Sequence, residues 1–299
     1  MNPAVGLSIG VTVFTTMLAL GLGLEPEGLR QWCSRPALPL RVLLGSCVLV
    51  PLLGLLLLQS PWSWTLAQPE RTAIALMVLC PSAPLALRRA RAAGGDHQLA
   101  ALLQVGAALL AIITVPLLGL LFRWSFGVDG WEAQPIDVAL QVGQIQVLPL
   151  LLGLLLRRRR PRLADRLQTP LERLANGLLI LLVLIVILQV GPLLWAYLPG
   201  NLPALFAMAL LAVGSLWIGR ALGGGRSGHG LTTALVTAMR NPGLALLFAS
   251  RYGQALPGLS LAILLYVLVT LVVSLPLVWL PHRSAGQSAA LRPADRSRD

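Results

Sequence analysis

Long apolar stretches separated by short polar connections dominate the chain. Each stretch is about as long as the ~20 residues that a helix needs to cross the hydrocarbon core of a bilayer. Nine such spans are predicted, at residues 3–24, 38–59, 71–87, 98–122, 136–156, 174–195, 202–222, 231–250 and 259–280. This pattern predicts an all-α, polytopic membrane domain over residues 1–281 and a disordered cytoplasmic tail over residues 282–299.

Prolines interrupt two of these spans. Span 3 contains Pro81 and Pro84, and span 8 contains Pro242 directly after Arg240 and Asn241. Proline lacks a backbone donor and clashes with the preceding turn, so both spans are predicted to be discontinuous helices. Spans 1–4 and 6–9 share one order: two plain helices, an interrupted segment and a long helix with a later proline. One span separates the two sets, which predicts an inverted repeat.

Composition and charge then fix the class of protein and its orientation. With 56% hydrophobic residues, 11% charged residues and a mean hydropathy of +0.78, the chain cannot be a soluble globular protein. All 23 basic residues are arginine, and they concentrate in alternate loops and the tail, while the opposite loops hold only Arg71, Arg123 and Arg251. The positive-inside rule predicts that the N-terminus lies outside and the C-terminus in the cytoplasm. We expect the protein in the inner membrane of a bacterium. The net charge of +12 is thus a topology signal, and no nucleic-acid partner is predicted.

Arg240 is the most informative polar residue, because it lies near the middle of span 8. An arginine at a helix centre costs about 2.5 to 3.5 kcal/mol on insertion scales, so it is kept mainly where it serves a polar site. Two interpretations stay open and are compatible: contact with an anionic substrate, and satisfaction of carbonyls that Pro242 frees. The predicted substrate-binding residues are Arg240, Asn241, Pro242, Thr237, Pro81, Ser82 and Gln104.

Other polar groups are better explained without a function. Arg88, Arg89 and Arg91 could line a vestibule that attracts anions, but the positive-inside rule accounts for them. The three cysteines and three histidines have no metal-type spacing, and the spans lack paired carboxylates or a serine with a base. We therefore predict no enzyme, no metal site and no cofactor.

Three segments carry a resemblance to a known family. Residues 18–24 (LALGLGL), residues 79–116, which run from Cys80-Pro81 through Gly95-Asp96, and residues 239–247 (MRNPGLALL) resemble the bile acid:sodium symporter superfamily. The resemblance implies two discontinuous helices that cross at a substrate and ion centre, and transport of an organic anion together with sodium. Family members often have ten helices in two inverted repeats, and this chain resembles one that lacks the first.

The sodium ligands implied by the resemblance do not carry over. The matching positions hold Ala86, Leu87, Ala100, Gln104, Val236 and Arg240. Alanine, leucine and valine side chains offer no oxygen, and a fixed cation near a sodium ion is repulsive by several kcal/mol at an effective dielectric of about 20. Our hypothesis is that both sodium sites are absent and that the guanidinium replaces one bound cation.

The sequence thus predicts a carrier for a small organic anion, working without sodium by alternating access between a panel and a core bundle. Sodium-coupled symport, as in the family, is the alternative. A membrane sensor or assembly protein that does not transport is the second alternative.

Overall fold

The computed structural model describes residues 3–24, 36–81, 84–126, 134–197, 199–224, 227–253 and 255–279. Regular structure in these ranges is helical, as expected where lipid offers no partner to the backbone amides. The tail predicted at residues 282–299 lies outside these ranges. The helices are α1 (Pro3–Gly23), α2 (Ala37–Gln59), α3 (Gln68–Leu79), α4 (Pro84–Ala92), α5 (His97–Phe126), α6 (Pro135–Arg159), α7 (Pro161–Tyr197), α8 (Leu202–Leu222), α9 (Ser227–Ala238), α10 (Pro242–Tyr252) and α11 (Leu259–Trp279).

Six of these helices are long and apolar enough to cross a membrane: α1, α2, α5, α6, α8 and α11. They correspond to predicted spans 1, 2, 4, 5, 7 and 9, so the prediction of a multi-pass membrane protein is confirmed. Predicted span 6 lies within α7. Predicted spans 3 and 8 are each divided into two shorter helices, α3 with α4 and α9 with α10. The total of nine crossings and the inverted repeat stay predictions.

Proline positions explain where the two divided segments resume. The second helix of each segment begins at a proline, Pro84 in α4 and Pro242 in α10. Proline suits a first helical position, because its fixed φ is already helical and its missing N–H would have no partner within the helix. The predicted interruptions are therefore confirmed.

The helices form two packed groups. One group contains α1, α6 and α7, and the other contains α2 to α5 with α8 to α11. The groups meet mainly where α1 contacts α10 and where α5 contacts α6. This division leaves α1 and α7 facing α4 and α5 across a cavity.

Small residues allow α1 and α6 to approach closely within the first group. A Cβ added to Gly21 would overlap the carbonyl of Leu150, and one added to Gly153 would overlap the carbonyl of Leu18. Close backbone approach of this kind provides the van der Waals contact that holds helices together in lipid. The pair therefore holds α1 close against α6.

Candidate functional site

The breaks in the two divided segments lie against each other. The backbone N–H of Asn241 donates a 3.0 Å hydrogen bond to the carbonyl of Cys80, which directly follows α3. The Asn241 side chain then caps α10, because its Oδ1 accepts a 3.1 Å hydrogen bond from the N–H of Leu244. Pro81 and Pro242 are neighbours of the two bonded residues. The interruptions thus meet at one point, which we call the crossing (residues 77–81 and 237–242).

Arg240 lies at the centre of the crossing and is 3% exposed. Its Nε donates to the carbonyl of Met77 at 3.1 Å, and its Nη2 donates to the carbonyl of Val78. Its Nη1 lies 3.5 Å from the carbonyl of Thr237, at the end of α9. These carbonyls belong to the last turns of α3 and α9, where backbone donors run out. Among the described residues, only the carbonyl of Met77 also accepts a backbone hydrogen bond, a 3.3 Å one from the N–H of Cys80. The guanidinium therefore joins the C-terminal ends of two helices.

A third element, α2, supplies two more acceptors in a π-helical turn at residues 45–49. The N–H of Val50 donates to the carbonyl of Gly45, so the next bond in this register would run from Pro51 to Ser46. Proline has no N–H to donate. Arg240 Nη1 takes its place, donating to Ser46 O at 2.9 Å and to Ser46 Oγ at 3.1 Å. One side chain thus completes the backbone hydrogen bonding of three elements.

These contacts agree with the carbonyl-capping interpretation of Arg240. Helix C-termini carry partial negative charge, so the crossing favours a cation where α3 and α9 end. All three guanidinium nitrogens already donate to protein oxygens. An anion could engage Arg240 in this conformation through the second N–H of Nη2 or by displacing a carbonyl. Substrate contact by Arg240 stays a prediction.

The other predicted site residues divide into two places. Thr237 and Asn241 are buried at the crossing, and Thr237 Oγ1 and Asn241 Nδ2 make no hydrogen bond within the described part of the chain. Pro81 is also buried there, whereas Ser82 lies outside the described residues. Pro242 and Arg240 border a hollow of only about 20 Å³, which is too small for an organic molecule. Gln104 lies elsewhere, on a larger cavity.

That larger cavity has a volume of about 250 Å³ and is enclosed by α1, α4, α5 and α7. Arg88 and Arg91 of α4 line it, together with Gln104 of α5 and Gln168 and Glu172 of α7. Arg91 and Glu172 are exposed, whereas Gln104 is 1% exposed. The cavity therefore extends from charged residues at its mouth to a buried amide inside. Arg240 and Asn241 are not among its lining residues.

Three of the residues that define these sites were not predicted from the sequence. Ser46 could have been suspected from Pro51, five residues later, but only the fold brings its carbonyl to Arg240. Arg88 was explained by membrane topology alone, and Glu172 had no signal at all. Which charged loop residues line a cavity depends on which helices face each other, and that is a tertiary property.

Four of the six positions that the family resemblance matches to sodium ligands hold apolar residues, and three of these are buried. Ala86 and Ala100 are 0% exposed, and Val236 is 2% exposed. Among the described residues, no group of three histidine, cysteine or acidic side chains is placed to hold a metal ion. The apolar side chains at positions 86, 87, 100 and 236 offer no oxygen to a sodium ion.

Comparisons with known proteins agree with the fold and with the resemblance. The family model described as "Sodium Bile acid symporter family" matches residues 10–195, which is more than half of the chain. A human protein, "Sodium/bile acid cotransporter 4", is 25% identical over 239 residues. The alignment covers 78% of this chain, and the chain spans about half (50%) of that relative's length. The resemblance is confirmed: this chain, a multi-pass membrane protein and not an enzyme, belongs to the sodium bile acid symporter family of transporters.

Proposed function

We propose that this protein is a secondary carrier of a small organic anion and that it works without sodium. The proposal places it in a bacterial inner membrane, with its N-terminus outside and its C-terminus in the cytoplasm. It includes nine crossings, with spans 1–4 and 6–9 as inverted repeats. Membership of a transporter family supports carriage of a small molecule, and the distribution of arginine supports the orientation.

The observation that carries sodium independence is the position of Arg240. Its guanidinium lies among the carbonyls of Ser46, Met77 and Val78, where two helix C-termini attract positive charge. A bound sodium ion would use such oxygens as ligands. A covalently attached cation holds them permanently, so the crossing is complete before any ion arrives. We infer that Arg240 is a fixed replacement for a bound cation.

The cavity between the two helix groups supports an anionic substrate. Arg88 and Arg91 outnumber the one acidic residue of its lining, Glu172. Charges of one sign on low-dielectric walls raise the local concentration of the opposite ion. A volume of about 250 Å³ suits a small molecule. The two groups on either side also suit alternating access, in which one group moves against the other around a site between them.

Sodium-coupled symport is the second candidate, and a specific observation favours it. The matched family is described as sodium symporters, and the human relative is named a sodium/bile acid cotransporter. Under this alternative, backbone carbonyls and waters would hold sodium without the side chains that the resemblance implies. The apolar residues at positions 86, 100 and 236 argue against sodium-coupled symport, because their side chains offer no oxygen ligand.

Uptake into proteoliposomes distinguishes the two candidates. The purified full chain is reconstituted and given radiolabelled butyrate, succinate, glutamate and a bile acid, each in sodium medium and in potassium medium. We expect uptake of at least one small anion at the same rate in both media. Steep dependence of wild-type uptake on sodium would refute sodium independence and support the second candidate.

Two variants complete the experiment. Arg240→Gln removes the fixed cation, and we expect it to transport poorly in potassium medium. Arg220→Gln removes an exposed arginine at the end of α8 and should leave uptake unchanged. If the wild type moves none of the anions under any gradient, the carrier proposal fails and the non-transporting sensor gains support.

A further inference from the structure

Two adjacent arginines on α4 have very different surroundings. Arg89 Nη1 donates to the carbonyl of Leu271 at 3.3 Å and to Ser274 Oγ at 3.0 Å, so its guanidinium is anchored to α11. Arg88 points to the cavity, and its Nη2 is buried without a hydrogen-bond partner among the described residues. A buried charged donor without a partner is costly, and such groups in native proteins normally meet a ligand or water. Arg88 therefore brings a positive charge to the cavity wall, and one of its donors has no protein partner within the described ranges.

Glu172 of α7 lies on the opposite wall of the same cavity. Its carboxylate attracts the Arg88 guanidinium electrostatically. Its Oε1 accepts a 3.0 Å hydrogen bond from Gln168 Nε2, which holds it on its own wall. Arg88 and Glu172 are therefore two opposite charges that face the cavity from different helix groups, without a hydrogen bond between them in the described structure.

We propose that Arg88 binds the carboxylate of the substrate and that Glu172 restricts the substrate to a single negative charge. This inference rests on the proposed function. A carboxylate matches the planar fork of a guanidinium and supplies the partner that Arg88 lacks. The charged lining, Arg88, Arg91 and Glu172, has one positive charge in excess. A monoanion neutralises that excess. A second carboxylate on the same molecule would face repulsion from Glu172.

The location of the pair also relates substrate binding to movement. Arg88 belongs to the second helix group and Glu172 to the first, so their attraction acts across the space that alternating access must open and close. A substrate carboxylate bound to Arg88 weakens that attraction, because it neutralises the guanidinium. Occupancy of the site therefore changes the force between the two groups.

Uptake of matched substrates by variant proteins tests the proposal. Radiolabelled butyrate and succinate have the same number of carbons and differ by one carboxylate. For Arg88→Gln we expect KM for butyrate to rise about tenfold or more, because a charge-assisted pair is lost. Arg88→Lys keeps the charge without the fork and should give a smaller rise. For Glu172→Gln we expect the preference for butyrate over succinate to fall by about threefold to tenfold, a range reduced for solvent exposure of Glu172.

Matched controls remove the same charges away from the cavity. Asp165→Asn removes an acidic residue of α7 that pairs with Arg157, and Arg158→Gln removes an exposed arginine at the end of α6. Neither should change KM or the butyrate-to-succinate preference. Ligand-induced shifts of the melting temperature, measured with butyrate on the same purified variants, give a readout that does not require turnover.

The outcomes separate this proposal from the proposed function. If the wild type transports no anion, the carrier proposal itself fails. If the wild type transports anions but Arg88→Gln keeps the wild-type KM and the wild-type melting shift, the Arg88 assignment is overturned. If Glu172→Gln keeps the wild-type preference for butyrate, charge selection by Glu172 is overturned.

Discussion

Replacing Arg240 by alanine tests whether the guanidinium holds the crossing together. The change leaves the carbonyls of Ser46, Val78 and Thr237 without their donor, whereas that of Met77 keeps the N–H of Cys80. An unsatisfied buried polar group costs about 1 to 3 kcal/mol, so three would cost about 3 to 9 kcal/mol if the costs added. Removing the charge also removes its cost in the membrane, which offsets about 2.5 to 3.5 kcal/mol of this loss on insertion scales. We therefore expect Arg240→Ala to destabilise the protein by a few kcal/mol.

Thermal unfolding of purified protein in detergent measures this effect through intrinsic tryptophan fluorescence. For a protein of this size a change of 1 kcal/mol moves Tm by roughly 2 to 4 °C, so we expect Tm to fall by about 5 to 15 °C. Arg220→Gln, which removes an exposed arginine, is the matched control and should keep the wild-type Tm. An Arg240→Ala variant with the wild-type Tm would refute the role assigned to the guanidinium.

Salt dependence of the same unfolding tests the replacement of a cation. Arg240→Ala leaves space beside three carbonyls and the Ser46 hydroxyl, which are suitable ligands for a small cation. We expect the Tm of the variant to be higher in sodium chloride than in the chloride of a large organic cation, and the Tm of the wild type to be the same in both. Equal Tm values for the variant would contradict the replacement while leaving the cross-linking role intact.

Three further predictions concern single positions. Asn241→Ala should destabilise the protein by about 1 kcal/mol, because the N–H of Leu244 loses its capping acceptor at the start of α10. Asn241→Asp keeps an acceptor oxygen and should retain most of that stability. Thermal unfolding of the two variants measures the difference in Tm. Gly21→Ala should lower Tm, because the added Cβ would push α1 away from α6. Gly119→Ala adds a Cβ with no atom within 4 Å and should raise stability by up to about 1 kcal/mol. Equal effects of the two substitutions on Tm would contradict the packing argument. Arg158→Cys should react with a membrane-impermeant thiol reagent only from the cytoplasmic side, measured in intact cells against inverted vesicles, and labelling in intact cells would reverse the orientation.

Arg240 shows how much of the site could be predicted from the sequence. Its cost in a membrane and its proline neighbour marked residues 240–242 as a functional centre from the sequence alone. They left two interpretations open, because a guanidinium can donate both to an anion and to a carbonyl. The acceptors of the Arg240 donors become known only when the fold places α2 and α3 beside Arg240. Local sequence carries no record of that contact, since Ser46 is 194 residues away.

Arg88 shows the opposite case, in which a correct general rule concealed a particular role. The positive-inside rule explains an arginine after span 3, and it also explains Arg89 and Arg91. The rule treats the three alike, whereas the structure anchors Arg89 to α11 and leaves Arg88 facing the cavity. Side-chain direction on α4 depends on which neighbours surround that short helix.

By itself, the sequence determined the class of protein, the six long apolar helices and the two interruptions. These follow from hydropathy, which is a local property matched to bilayer thickness, and from proline, which lacks a donor wherever it stands. Tertiary structure decided that the two interruptions meet, that Arg240 binds the carbonyls of three elements, and that Arg88 and Glu172 face one cavity. Each of these depends on contacts between residues far apart in the chain, and packing between helices alone brings them together.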